Sequence, residues 1–145
     1  MSAEDYAPSP TGWVARQVAQ IEAAGDTAAV STLGGSVVLL TMRGARTGAV
    51  RKVPLMRVER GGRYAAIASL GGSPRDPQWV ANLRANPQVE VMDGTRTCPM
   101  RAREIDGAER QQWWAYAVQV FPGYADYQPR TERVFPIFLL EPRQG

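Results

Sequence analysis

Short β-type runs follow one another through tight glycine turns in this chain, and that order confines the fold more than any other feature. The run 37–42, VVLLTM, is short, apolar and partly β-branched, which favours a buried strand over a helix. The segment 43–49, RGARTGA, turns it into a second strand over 50–59, and Gly61-Gly62 leads into a third over 64–69. Asp93-Gly94 joins a further pair, 88–93 and 96–105, and a last strand covers 134–140. Pro54 removes a ladder donor from the second run and predicts an edge or irregular position. Helices fall between strand pairs, an order that disfavours a doubly wound parallel sheet. The expected fold is mainly β (α+β), a largely antiparallel barrel of about six or seven strands with flanking helices.

Three helices are predicted. The first starts at Thr11, carries Val14, Val18 and Ile21 on one face, and stops at Gly25. The second opens at Asp76-Pro77, with Pro77 at its first position, buries Trp79, Val80 and Leu83, and ends at Asn86-Pro87. The third begins with a capping-box pattern, Asp106 with Glu109, and carries Trp113, Trp114, Ala117, Val118 and Phe121. Residues 1–10, rich in proline and small side chains, read as a loose tail, and 11–145 as one domain. No apolar run reaches membrane-span length and the start has no signal-peptide pattern, so a cytoplasmic location is the default.

The chain has no histidine and one cysteine, Cys98. Imidazole catalysis, a Ser-His-Asp triad, His-ligated zinc and an intrachain disulfide are therefore excluded. Chemistry must come from carboxylates, Tyr, Arg, backbone dipoles or a bound cofactor. The net charge is only +3, yet Arg43, Arg46, Arg51, Lys52 and Arg57 follow one another without an intervening acid, which points to an anionic partner for that segment.

Three segments are candidates for function. The basic hairpin, with Gly44 and Gly48, exposes backbone N–H groups beside Arg46, Arg51 and Lys52 and could clamp a phosphate or carboxylates; a solvated charged hairpin is the plainer alternative. Small residues at Ala66, Ala68 and Ser69 leave room for a planar ring, and Trp79 and Asn82 share a helix face behind them, although Trp79 as core and Asn82 as a helix-end hydrogen bonder explain the same pattern. Phe121, Tyr124 and Tyr127 fall at three-residue spacing on a proline- and glycine-bounded loop, suited either to wall a pocket or to pack the loop onto the barrel.

Taken in order, these segments resemble the deazaflavin (coenzyme F420)-dependent nitroreductase family, the F420H2-dependent reductases of the split β-barrel type. The resemblance rests on Gly44, Thr47, Gly48, Arg51, Pro54 and Leu55, on SLGGSPRDPQWVANLRANPQVEV, and on YADYQPRTERVFPIFLLEP, across residues 37 to 142. It implies a split β-barrel and a two-electron coenzyme whose tail bears a phosphate, a lactyl group and glutamates. By carry-over, Arg46, Thr47, Gly48, Arg51 and Lys52 would hold the tail. Pro54, Ala68, Ser69, Trp79 and Asn82 would cradle the ring, with Tyr124 alongside, while Phe121, Tyr124 and Tyr127 would line the substrate side. Ala45 and Leu70 depart from the Arg and Lys common at these positions, which affects tail contacts and the charge near the ring.

The implied activity is hydride transfer from reduced deazaflavin to a quinone, nitroaromatic or activated alkene, with Ser69 or Tyr127 hydrogen-bonding the acceptor. The alternatives are an FMN-dependent oxidoreductase on the same barrel and a non-catalytic F420 carrier. A quinone acceptor would fit peripheral membrane contact through the first helix. No aromatics interleave with the arginines as single-strand nucleic-acid binding requires, and no metal is expected. The resemblance is compatible with a monomer or a homodimer.

Overall fold

In a computed structural model of the chain, the described residues are 12–32, 35–68, 77–122 and 135–143. Helix α1, Gly12–Ala24, ends at Gly25, whose φ of 66° suits a residue without a β-carbon and whose N–H donates to the Ile21 carbonyl at 2.8 Å. A single 3-10 turn, Thr27–Ala29, leads to β1, Ser31–Thr32, and β2, Gly35–Arg43. Then come β3, Val50–Met56; β4, Glu59–Arg60; and β5, Arg63–Ile67. Helix α2, Gln78–Ala85, precedes the hairpin of β6, Gln88–Asp93, and β7, Arg96–Glu104. Helix α3, Gly107–Val120, and strand β8, Ile137–Pro142, complete the described elements.

All these strands belong to one sheet, ordered β1-β2-β6-β7-β8-β5-β4, with β3 also on β2. Every pairing is antiparallel. The expected six or seven strands correspond to the six longer ones, with β1 and β4 as two-residue additions. β3 is an edge strand, as Pro54 requires, since a residue without an N–H costs least where one side of the ladder is open.

The expected strand 50–59 divides because its two ends serve opposite edges of the curled sheet. Arg57 donates its N–H to the Ser36 carbonyl at 2.8 Å, prolonging the β2–β3 pairing. One residue later the Val58 carbonyl accepts the Ala65 N–H at 2.9 Å, prolonging β4–β5. The chain thus crosses the gap between the edges, and among the described residues no ladder joins β3 to β5. This is an open, curled half-barrel rather than a closed one.

Side-chain alternation sorts the core into an inside and two outsides. Val38, Leu40, Met42, Ala66, Ala68, Val89, Val91, Met100, Ala102, Phe138 and Leu140 fill the interior, and Trp79, Val80 and Leu83 of α2 plug one end. Val14, Val18 and Ile21 of α1 cover Val37 and Leu39 on the outer face. Trp113 and Ala117 of α3 cover Ala65, Ile67, Ile137 and Leu139. Each fully buried aliphatic side chain here contributes about 2 kcal/mol.

Three details of the sequence reading change. Pro77 is the residue before the first turn of α2 and not its first member, with an extended ψ of 151°. Asp106 flanks α3 without a side-chain capping bond, because the expected partner Glu109 instead accepts from Arg103 Nη1 and Nη2 at 2.8 and 3.0 Å. The last strand begins at Ile137 and its pairing with β5 is prolonged by one residue through the Ala68 N–H to Pro136 carbonyl bond at 3.0 Å, while position 134, where the apolar pattern starts, lies outside the described residues. The tail 1–10 and the Thr11 cap lie outside the described residues.

Candidate functional site

The β2–β3 turn is held by bonds from within and from α2. Gly44 donates its N–H to Ala49 O at 2.8 Å, Gly48 donates to Gly44 O at 3.0 Å, and Ala49 donates to Thr47 Oγ1 at 3.2 Å. Gly48 has φ of 72°, a left-handed conformation that glycine adopts without strain. Arg43 Nη1 covers the Gly48 carbonyl at 3.0 Å, so that oxygen is neutralised. From α2, Asn82 Oδ1 accepts the Ala45 N–H at 2.9 Å, while Asn86 Nδ2 donates to Gly44 O at 3.4 Å. The N–H groups of Arg46 and Thr47 are left without a protein acceptor among the described residues. Two such donors beside guanidinium groups are suited to an anion.

Register shows which basic side chains share this end. Directly opposed residues of an antiparallel pair lie on one face. Met42 faces Arg51, Leu40 faces Val53 and Val38 faces Leu55, so Arg51 belongs to the inner face near the turn. Thr41 faces Lys52 and Leu39 faces Pro54, so these two lie on the outer face, toward α1. Lys52 Nζ is bound to Glu22 Oε2 of α1. The expected cofactor set is therefore split by the pleat: Arg46, Thr47, Gly48 and Arg51 gather at the turn, whereas Lys52 and Pro54 stand on the other side of β3.

The remaining expected residues are equally divided. Ala68 is fully buried in the interior cluster and Trp79 nearly so, its ring edge-on to Phe138 at 6.1 Å between centroids. Asn82 reaches the turn backbone, and its Nδ2 contacts Met42 Sδ at 3.6 Å. Phe121 follows the C-terminus of α3 and packs with the cluster beneath that helix. Since α3 starts beyond β7 at the turn end and its Tyr116 hydroxyl bonds Glu59 O at 2.7 Å, Phe121 lies toward the opposite end. Ser69, Tyr124 and Tyr127 lie outside the described residues, as does Leu70.

The opposite end holds Arg57, which the basic run had grouped with the turn, and two groups not assigned a functional role from the sequence, Asp93 and Tyr64. Arg57 Nε donates to both Asp93 oxygens at 3.0 Å, and the Tyr64 hydroxyl donates to Asp93 Oδ2 at 2.6 Å. Burial and then the bond to Asp93 raise the Tyr64 pKa above the usual tyrosine value. A cavity of about 330 Å³ adjoins this network, lined by Thr27, Ala28, Val30, Ser36, Val37, Arg57, Asp93 and Gly94. No local signal announces these contacts, because their members lie 29 or more residues apart.

Residues 13–142 match the model of the F420H(2)-dependent quinone reductase family. The chain belongs to that family. An F420H(2)-dependent quinone reductase from Mycobacterium tuberculosis strain H37Rv is 34% identical over 108 residues, 72% of each chain. A solved F420-H2 dependent reductase is 50% identical with a TM-score of 0.69, covering 72% of this chain and 93% of that one. A solved structure described as a domain-swapped dimer is 48% identical with a TM-score of 0.73, covering 92% of this chain and 100% of the other. Family membership makes the protein an oxidoreductase with coenzyme F420 as its cofactor. The donor set at the turn fits the coenzyme's acidic tail: unpaired N–H groups, arginines, and no acid from Met42 to Arg57.

Proposed function

We propose that this protein binds the phosphate-bearing tail of reduced F420 at the 44–48 turn and uses the coenzyme to reduce a quinone, nitroaromatic or activated alkene. The observation that carries the reading is the pair of unsatisfied N–H donors on Arg46 and Thr47, beside Arg51 on the same end of the barrel. When bound, the coenzyme supplies a two-electron hydride donor. The protein's part is to fix the tail, and through it the ring, so that the reacting atoms meet in one orientation. Asn82 and Asn86 hold the turn rigid for that purpose. Ser69 and Tyr127 are the proposed hydrogen-bond donors to the acceptor as negative charge develops on it, with Tyr124 at the ring; Phe121, packed beneath α3, is left out of this set.

Tryptophan-fluorescence titration with F420 tests the tail assignment. Arg51→Ala should weaken binding about tenfold, the loss of one charge-assisted contact. Affinity unchanged within error overturns the phosphate assignment at this turn.

We further propose a homodimer, supported by the domain-swapped neighbour and tested by light scattering on the purified chain. Among the described residues no helix is long and apolar enough to cross a membrane. The Val14, Val18 and Ile21 face of α1 is already buried on the barrel, so peripheral membrane contact through that helix would use its other residues. Vesicle co-sedimentation of the full chain checks this.

A further inference from the structure

We infer that Asn82 is a positioning residue for the coenzyme's tail and acts through the turn rather than on the ring; this rests on the tail-binding reading above. Asn82 lies in the middle of α2, the helix that plugs the barrel, and its side chain points across to a segment 37 residues earlier. The amide orientation is fixed by chemistry: Oδ1 faces the Ala45 N–H at 2.9 Å, where Nδ2 would place donor against donor. Nδ2 then rests on Met42 Sδ at 3.6 Å, a weak acceptor from the buried interior. Both arms of the side chain are thus committed to the β2–β3 hairpin.

The bond to Ala45 determines how many donors the turn offers. Its N–H and those of Arg46 and Thr47 are consecutive in a single helical turn closed by Gly48 N–H to Gly44 O. Asn82 occupies the first and leaves the next two. It also ties the turn to a helix anchored by Trp79, Val80 and Leu83 in the core. Asn86 adds a second strut one turn further along, to Gly44 O at 3.4 Å. A two-residue donor pair on an untethered loop would lose rotational freedom each time an anion bound, and the tether removes that cost in advance. Because the contact is to backbone, it is indifferent to the side chain at 45.

The test separates tail from ring. Wild type and Asn82→Leu are titrated with F420 and with its deazaflavin riboside, which ends before the phosphate. The expected result is that N82L weakens F420 about tenfold and the riboside by less than twofold, with KM for reduced F420 rising about tenfold while kcat falls less than twofold. Amide exchange on the apoprotein gives an independent reading: protection of the Ala45 N–H falls about tenfold in N82L and returns in Asn82→Asp, which keeps an acceptor oxygen. Equal losses for both ligands would overturn the inference in favour of direct ring contact. Unchanged or tighter F420 binding in N82L, or unchanged Ala45 protection, would overturn it as well. If wild type itself prefers F420 no more than the riboside, the tail-binding reading fails first, a result distinct from any of these.

Discussion

The two ends of the barrel carry similar groups in opposite states. β2 runs the whole way between them, roughly 25–30 Å for its nine residues. At the Arg57 end, guanidinium, carboxylate and phenol satisfy one another in a network of 2.6 to 3.0 Å bonds. At the turn end, two backbone donors have no acceptor among the described residues, and the charged side chains of the surrounding segment are all basic. A fully paired network stabilises the fold and has little left for a ligand. Exposed donors without a protein acceptor stay open to an anion from solution. The difference separates an end whose polar groups satisfy one another from the end proposed to bind the ligand.

Substitutions at each end should therefore have opposite signatures. The largest effect is expected from Asp93→Ala, which leaves Arg57 and Tyr64 without their shared acceptor. It should cost about 3 kcal/mol in urea unfolding with F420 affinity unchanged. A comparable loss of affinity would erase the contrast. Next, Arg46→Glu should weaken F420 roughly thirtyfold, or about 2 kcal/mol, while unfolding stays within about 0.5 kcal/mol of wild type. Its effect should shrink as salt rises.

Tyr64→Phe sharpens the paired end through pH. The folded protein holds the tyrosine proton more tightly than the unfolded chain, so its contribution is complete below pH 10.0 and declines as pH rises through the folded pKa. The Phe variant should be about 1 kcal/mol less stable at neutral pH and should lack that alkaline decline. The smallest effect belongs to the exposed Arg84–Glu104 pair at the turn end, with bonds of 2.9 and 3.0 Å. The hydrogen bonds from Arg84 lower the Glu104 pKa, so its contribution is present above 4.5 and lost as pH falls below. Arg84→Ala should lower stability by under about 0.5 kcal/mol above pH 4.5, a difference that vanishes as pH falls and Glu104 takes up its proton.

Much of this architecture was legible in the chain itself. Gly44, Gly48, Gly61, Gly62 and Gly94 marked hairpins, and all but Gly44 have the positive φ such turns favour. Val14, Val18 and Ile21 gave α1 its buried stripe, and Pro54 announced an edge. The site was legible only in part. A run of basic residues says where charge accumulates but not which side of a pleat each residue takes, and Lys52 and Pro54 parted from Arg51 for that reason. Trp79 and Asn82 had a shared helical face, yet only their partners, Phe138 and Ala45, show that one is core and the other a strut. Asp93 carried a turn signal that concealed its link to Arg57 and Tyr64, since nothing local couples residues that far apart.

The crossing at Arg57 and Val58 has a mechanical consequence. The open edges of the half-barrel are linked by a covalent strap instead of a hydrogen-bonded seam, so their separation is limited by two residues of main chain. Adding one residue to the strap would let the rims part while every strand register stayed in place. The volume beneath the α2 plug is therefore adjustable at a point remote from the 44–48 hairpin.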